Sequence, residues 1–125
     1  MSLRLILAED HAITRQGLRS LLEKEPDLEV VGEAEDGREA LALVRDILPD
    51  VLITDIAMPN LNGVDATRKI VSEYPNVKVI ALSVHSNRAF VADMLKAGAS
   101  GYVLKECSFD ELIEAVRTVV AGGMY

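Results

Sequence analysis

Cysteine is nearly absent from this sequence. Cys107 has no second thiol to pair with, so an internal disulfide is excluded and a reducing cytoplasm is the expected compartment. Positive charge is also scarce. Thirteen Lys and Arg stand against twenty Asp and Glu, a formal net charge of −7. This stretch is therefore not expected to grip nucleic acid or an anionic membrane by itself, since both require a basic surface. No apolar run approaches the ~18 residues of a membrane span, and the first residues lack the basic and apolar regions of a signal peptide. Low-complexity linkers are missing too. What is present is a 125-residue chain, half hydrophobic and 26% charged, the balance of a soluble globular domain with one substantial core.

Five short apolar runs alternate with five longer amphipathic ones. The strand candidates are Leu3 to Ala8, Leu28 to Ala34, Val51 to Asp55, Lys78 to Ser83 and Gly101 to Leu104. Leu5-Ile6-Leu7, Val51-Leu52-Ile53 and Val79-Ile80-Ala81-Leu82 are nearly unbroken hydrophobes, as parallel strands covered on both faces require. Between them, Leu41, Val44 and Leu48 form one helical stripe, and Phe109, Leu112, Ile113, Val116 and Val120 form another. Ser108 with Glu111 fits a capping box, and Asp36 with Glu39 and Asn62 with Asp65 repeat the spacing more loosely. Pro49, Pro75-Asn76 and Gly98 mark helix ends. Alternating β and α at this length predict an open parallel sheet with right-handed crossovers and helices on both faces.

In such sheets ligands bind beyond the carboxyl ends of the strands, where the strand order reverses. The first strand ends in Glu9-Asp10, the third in Asp55 and the fourth in Ser83, and Lys105 follows the fifth. If strands one and three are neighbours, three carboxylates converge. Two carboxylates ~4 Å apart repel by about 4 kcal/mol at an effective dielectric of 20, so a proton or a cation has to intervene. Lys105 can neutralise one charge, and a divalent metal can deal with the rest. Few, hard oxygen donors suit Mg²⁺ with several waters better than Zn²⁺ or a full Ca²⁺ cage. Any one of these residues alone is ordinary at a solvent-facing strand end; the combination, in this order, is not.

The residues that carry this pattern resemble the receiver domain of two-component response regulators over essentially the whole chain, residues 1–125. The matching stretches are Leu5-Ile6-Leu7-Ala8-Glu9-Asp10, Asp55-Ile56-Ala57-Met58-Pro59-Asn60-Leu61-Asn62-Gly63, Leu82-Ser83-Val84-His85 and Gly98-Ala99-Ser100-Gly101-Tyr102-Val103-Leu104-Lys105. The resemblance implies a flavodoxin-like, doubly wound five-stranded parallel sheet in the order 2-1-3-4-5 with five helices. It implies Asp55 as the acceptor of a phosphoryl group from a sensor histidine kinase or a small acyl phosphate. Mg²⁺ would be held by Asp10, Asp55 and the carbonyl of Ala57, with Glu9 acting through water. Lys105 and Ser83 would contact phosphoryl oxygens, and Ser83 with Tyr102 would form the switch. Such a chain is no enzyme beyond catalysing its own phosphorylation and dephosphorylation, and a homodimer on activation is expected. Carboxylates need no general base at neutral pH, and a strand tip is expected to leave Asp55 open to a bulky donor.

Val84-His85, Tyr102-Val103-Leu104-Lys105 without a following proline, and the segment Val119 to Tyr125 resemble the subgroup whose receivers precede a LuxR-type helix-turn-helix. DNA contact is then expected only through a C-terminal domain that these residues do not contain. The alternative is a free-standing receiver that docks on partners or relays phosphoryl; a reading frame extending into a basic helical segment decides between them. Glu106 after Lys105 gives no ground for a cis proline there, and Val84 narrows access to the phosphoryl site. A phosphohydrolase of the haloacid dehalogenase type resembles its relatives in a second Asp two residues after the nucleophile, where this chain has Ala57. A flavodoxin-like cofactor binder needs a Ser, Thr or Gly cradle after the first strand, and Glu9-Asp10 would repel a phosphate there.

Overall fold

The computed structural model describes residues 3–55, 63–83, 88–104 and 109–124. Five strands and five helices alternate: β1 (Leu3–Ala8), α1 (Ala12–Leu22), β2 (Leu28–Ala34), α2 (Gly37–Ile47), β3 (Val51–Asp55), α3 (Gly63–Glu73), β4 (Lys78–Ser83), α4 (Arg88–Ala97), β5 (Gly101–Leu104) and α5 (Phe109–Val120). All strands pair in parallel, in the order β2-β1-β3-β4-β5. The strand bounds coincide with the apolar runs of the sequence, because strands covered on both faces tolerate few polar residues. β3, at the centre, is buried at every position.

Two helical layers cover the sheet. Leu22 of α1 and Leu112, Val116 and Val119 of α5 pack with Leu5, Leu7, Val51, Ile53, Ile80, Leu82 and Val103 on one face. On the other, Ala40 and Val44 of α2 and Ile70 of α3 meet Ile6, Ala8, Leu52 and Val79, while Met94 of α4 packs with Ala81, Ala99 and Tyr102. Alternate strand residues thus serve opposite layers, as the two-residue strand period demands. β1 and β2 slip register once, with Leu5 opposite Val30 and Ile6 opposite Gly32, so Val31 bulges out of the ladder.

Two helical stripes end differently from the sequence expectation. Leu48 does not continue the buried stripe of α2: it is the C-cap, in the left-handed region at φ 52, and 57% exposed. The chain must leave the helix before Pro49, and that turn carries the side chain outward. In α5 the innermost position near the end is Val119, fully buried, while Val120 faces outward. Of the expected helix starts, Asp36 accepts from the Glu39 amide at 2.8 Å; Asn62 and Ser108 lie outside the described residues. Gly98 ends α4 at φ 107, as a left-handed turn favours.

Candidate functional site

β1 and β3 lie side by side with Ala8 opposite Thr54, so both chains run out of the sheet together. One residue further on stand Glu9 and Asp55. The Glu9 amide still bonds the Ala34 carbonyl of β2 at 3.0 Å, which fixes the end of β1. Asp55 pairs with Leu82 on the other side. Carboxylate oxygens of Glu9, Asp10 and Asp55 and a ring nitrogen of His11 all lie within 4.8 Å of one another.

Glu9 is 2% exposed and Asp55 7%. Asp55, expected at a strand tip open to a bulky donor, is instead largely buried. It occupies the last rung that β3 shares with β4, one residue beyond the last pairing of β3 with β1. Two nearly buried carboxylates beside a third need positive charge close by. The donor set, three carboxylates and an imidazole at the end of rigid strands, fits a small divalent cation of the hard or borderline kind.

The structure thus brings together Glu9, Asp10 and Asp55, as the sequence predicts. Ser83 is completely buried at the end of β4 and pairs with Leu104. Tyr102 pairs with Ala81 and packs, half-buried, against the cluster of Ala81, Met94 and Ala99. Ser83 follows Ala81 by two residues, so it starts from the same sheet face as Tyr102. Ala57 and Lys105, together with Pro59, Val84, His85 and Cys107, lie outside the described residues.

Two residues of the site were missed by sequence reasoning. His11, the N-cap of α1, turns its ring to the acid pair: Nδ1 is 2.8 Å from Glu9 Oε1 and 3.2 Å from Asp10 Oδ1. Arg15, one turn on, is only 9% exposed. Its Nη1 donates to the Glu9 carbonyl at 2.7 Å, its Nε to Glu33 at 3.1 Å, and its Nη2 lies 3.5 Å from Glu35. A buried guanidinium thereby ties the end of β1 to the end of β2. Arg19 bonds the same Glu33, and that bond, with a second to Glu23, raises the guanidinium above its ordinary pKa. Arg15 had one sequence signal: a charge on the stripe shared with Leu18 and Leu22, where an unpaired charge is not tolerated.

Residues 5–117 match the family described as the response regulator receiver domain. The chain is 47% identical over 123 residues to the transcriptional regulatory protein DegU of Brevibacillus brevis, covering 98% of this chain and 52% of that protein. It is 40% identical to the oxygen regulatory protein NreC of Staphylococcus carnosus, covering 98% and 57%. Among solved structures, a LuxR-family two-component response regulator from Aurantimonas superposes with a TM-score of 0.95 at 36% identity, covering 99% of this chain and 89% of that one. The signal receiver domain of NarL from Mycobacterium tuberculosis superposes at 0.93 and 33%, covering 97% and 98%. The chain belongs to the response regulator receiver domain family, whose members are phosphoacceptor signalling switches. It spans about half the length of the curated relatives it matches.

Proposed function

We propose that Asp55 accepts a phosphoryl group in a Mg²⁺-dependent reaction and that the resulting switch governs a LuxR-type DNA-binding domain in a longer protein. The observation that carries this reading is the grouping of Asp55 with Glu9 and Asp10 at the ends of adjacent strands, within 4.8 Å. Asp10, Asp55 and the carbonyl of Ala57 would hold the ion, with Glu9 reaching it through water. When bound, Mg²⁺ supplies charge neutralisation for the transferred group.

The donor is a phosphohistidine on a sensor kinase, or a small acyl phosphate. An Asp55 carboxylate oxygen forms the new bond to phosphorus while the bond to the donor's imidazole nitrogen breaks, and the electron pair stays on that ring, which takes up a proton. Lys105 pairs with one phosphoryl oxygen and Ser83 donates to another. The added negative charge draws Ser83 inward, and Tyr102 moves into the space it leaves. The chain catalyses nothing but its own phosphorylation and dephosphorylation.

The transcriptional half of the proposal rests on relatives named as transcriptional regulators and on LuxR-family structural neighbours. Its partners are then a histidine kinase, a second copy on activation, and DNA through the output domain. Among the described residues no helix is long and apolar enough to cross a membrane, and the cytoplasm is the proposed compartment.

Incubation with Mg²⁺ and a small phosphodonor, read by intact mass, tests the acceptor. The parent is expected to gain one phosphoryl group, Asp55→Asn none, and a chelator to abolish the gain. A gain in both proteins overturns the assignment.

A further inference from the structure

We infer that Arg15 is a positioning residue: it holds the backbone at the end of β1 from behind, while its charge is answered outside the acidic pocket. This rests on the reading of Glu9, Asp10 and Asp55 as a cation site. Sheet pairing of β1 with β2 stops at Ala8 opposite Ala34, and the Glu9 amide makes one last bond to the Ala34 carbonyl at 3.0 Å. The Glu9 carbonyl, just past the ladder, accepts from Arg15 Nη1 at 2.7 Å. Both main-chain polar groups of Glu9 are thereby fixed, and with them the direction in which the chain presents Glu9 and Asp10.

A nearly buried guanidinium needs a partner for its charge. Arg15 has its ion pairs with Glu33, at 3.1 Å, and Glu35, at 3.5 Å, on and just after the edge strand β2. Toward the pocket it offers a hydrogen bond to a carbonyl instead. The carboxylates thus keep their charge for a cation, and the strand end keeps its shape. Arg15 is itself held, because Arg19, one turn further along α1, bonds the same Glu33. Groups that orient metal ligands from behind change metal affinity by about tenfold to a hundredfold when removed. Charge alone predicts the opposite sign: taking a positive group away from a cation site tightens cation binding. Weaker binding without Arg15 is therefore the mark of positioning.

Titration calorimetry of the metal-free chain with MgCl₂, beside urea denaturation without metal, tests this in the parent, Arg15→Met, Arg15→Lys and Gly98→Ala. Gly98 precedes β5, so its variant loses stability at the opposite end of the sheet from the site. Arg15→Met is expected to weaken Mg²⁺ binding by about tenfold or more. Arg15→Lys should fall between Arg15→Met and the parent, since a lysine keeps the charge and a donor but lacks the planar fork. Gly98→Ala should bind Mg²⁺ within about twofold of the parent. If Arg15→Met does not fold, Arg15→Lys decides by the same comparison with the parent. Unchanged or tighter binding in the Arg15 variants overturns the proposal, and so does a loss of affinity that follows stability in all three variants. A parent that binds no Mg²⁺, or binds it as well after Asp55→Asn, overturns the cation-site reading as well.

Discussion

Gly98 closes α4 at φ 107, and a Cβ there would stand 2.7 Å from Val71 Cγ1 on α3. Two costs combine at that position: a left-handed backbone and a collision with a branched, poorly yielding side chain. Gly98→Ala is expected to destabilise the fold by about 2 kcal/mol or more, read as a lower urea midpoint with an unchanged slope. The helix-ending role of Gly98 was legible in the sequence; the approach of α3 was not, because it depends on packing between elements. Arg15 escaped notice for the same reason. Arg15 finds Glu33 and Glu35 eighteen and twenty residues further along the chain, and only the pairing of β1 with β2 brings them together. Glu9, Asp10 and Asp55 were legible because each ends a recognisable apolar run.

The ends of the helices depend on side chains that reach beyond them. Asp36 caps α2 at one end, and at the other Arg4 donates to the Ile47 carbonyl at 3.2 Å. Asp36→Ala is expected to cost about 1 kcal/mol, measured by thermal or urea denaturation. α5 is tied to the turn before β2 by a fork: Arg117 Nη1 and Nη2 reach Asp27 at 2.9 and 3.1 Å, and Nη2 reaches Glu25 at 3.1 Å. All three side chains are at least a third exposed, so Arg117→Ala is expected to cost no more than about 1 kcal/mol. The loss should shrink in high salt; an equal loss at every ionic strength would point to packing instead of charge. The misplaced stripe ends at Leu48 and Val120 belong to this scale as well. Periodicity continues past the point where the backbone turns, so spacing finds the buried face of a helix better than its last residue.

Across the whole molecule, the sheet serves to bring charged residues from separate strands to one edge. Its alternation of apolar runs and amphipathic stretches was legible, and the strand order followed from the family resemblance. On the proposed reading the three carboxylates repel one another, and a bound cation relieves part of that repulsion. Asp10→Asn is therefore expected to melt above the parent in the absence of metal, by an amount equivalent to about 1 kcal/mol for a solvent-facing carboxylate. The parent should gain about 2.7 kcal/mol from Mg²⁺ at a hundred times its Kd, and the variant much less at the same concentration. An Asp10→Asn protein that melts below the metal-free parent would remove repulsion as the reason for the cation.

The most direct measurement places the phosphoryl group on a particular residue. An aspartyl phosphate formed with Mg²⁺ and a phosphodonor can be reduced with borohydride, which leaves homoserine at the modified position, and the peptide from β3 can then be sequenced by mass spectrometry. Homoserine at position 55 and at no other carboxylate is the expected result. Homoserine at Glu9's neighbour Asp10, or a phosphoryl group that survives reduction on His11, would contradict the assignment of Asp55 as the acceptor.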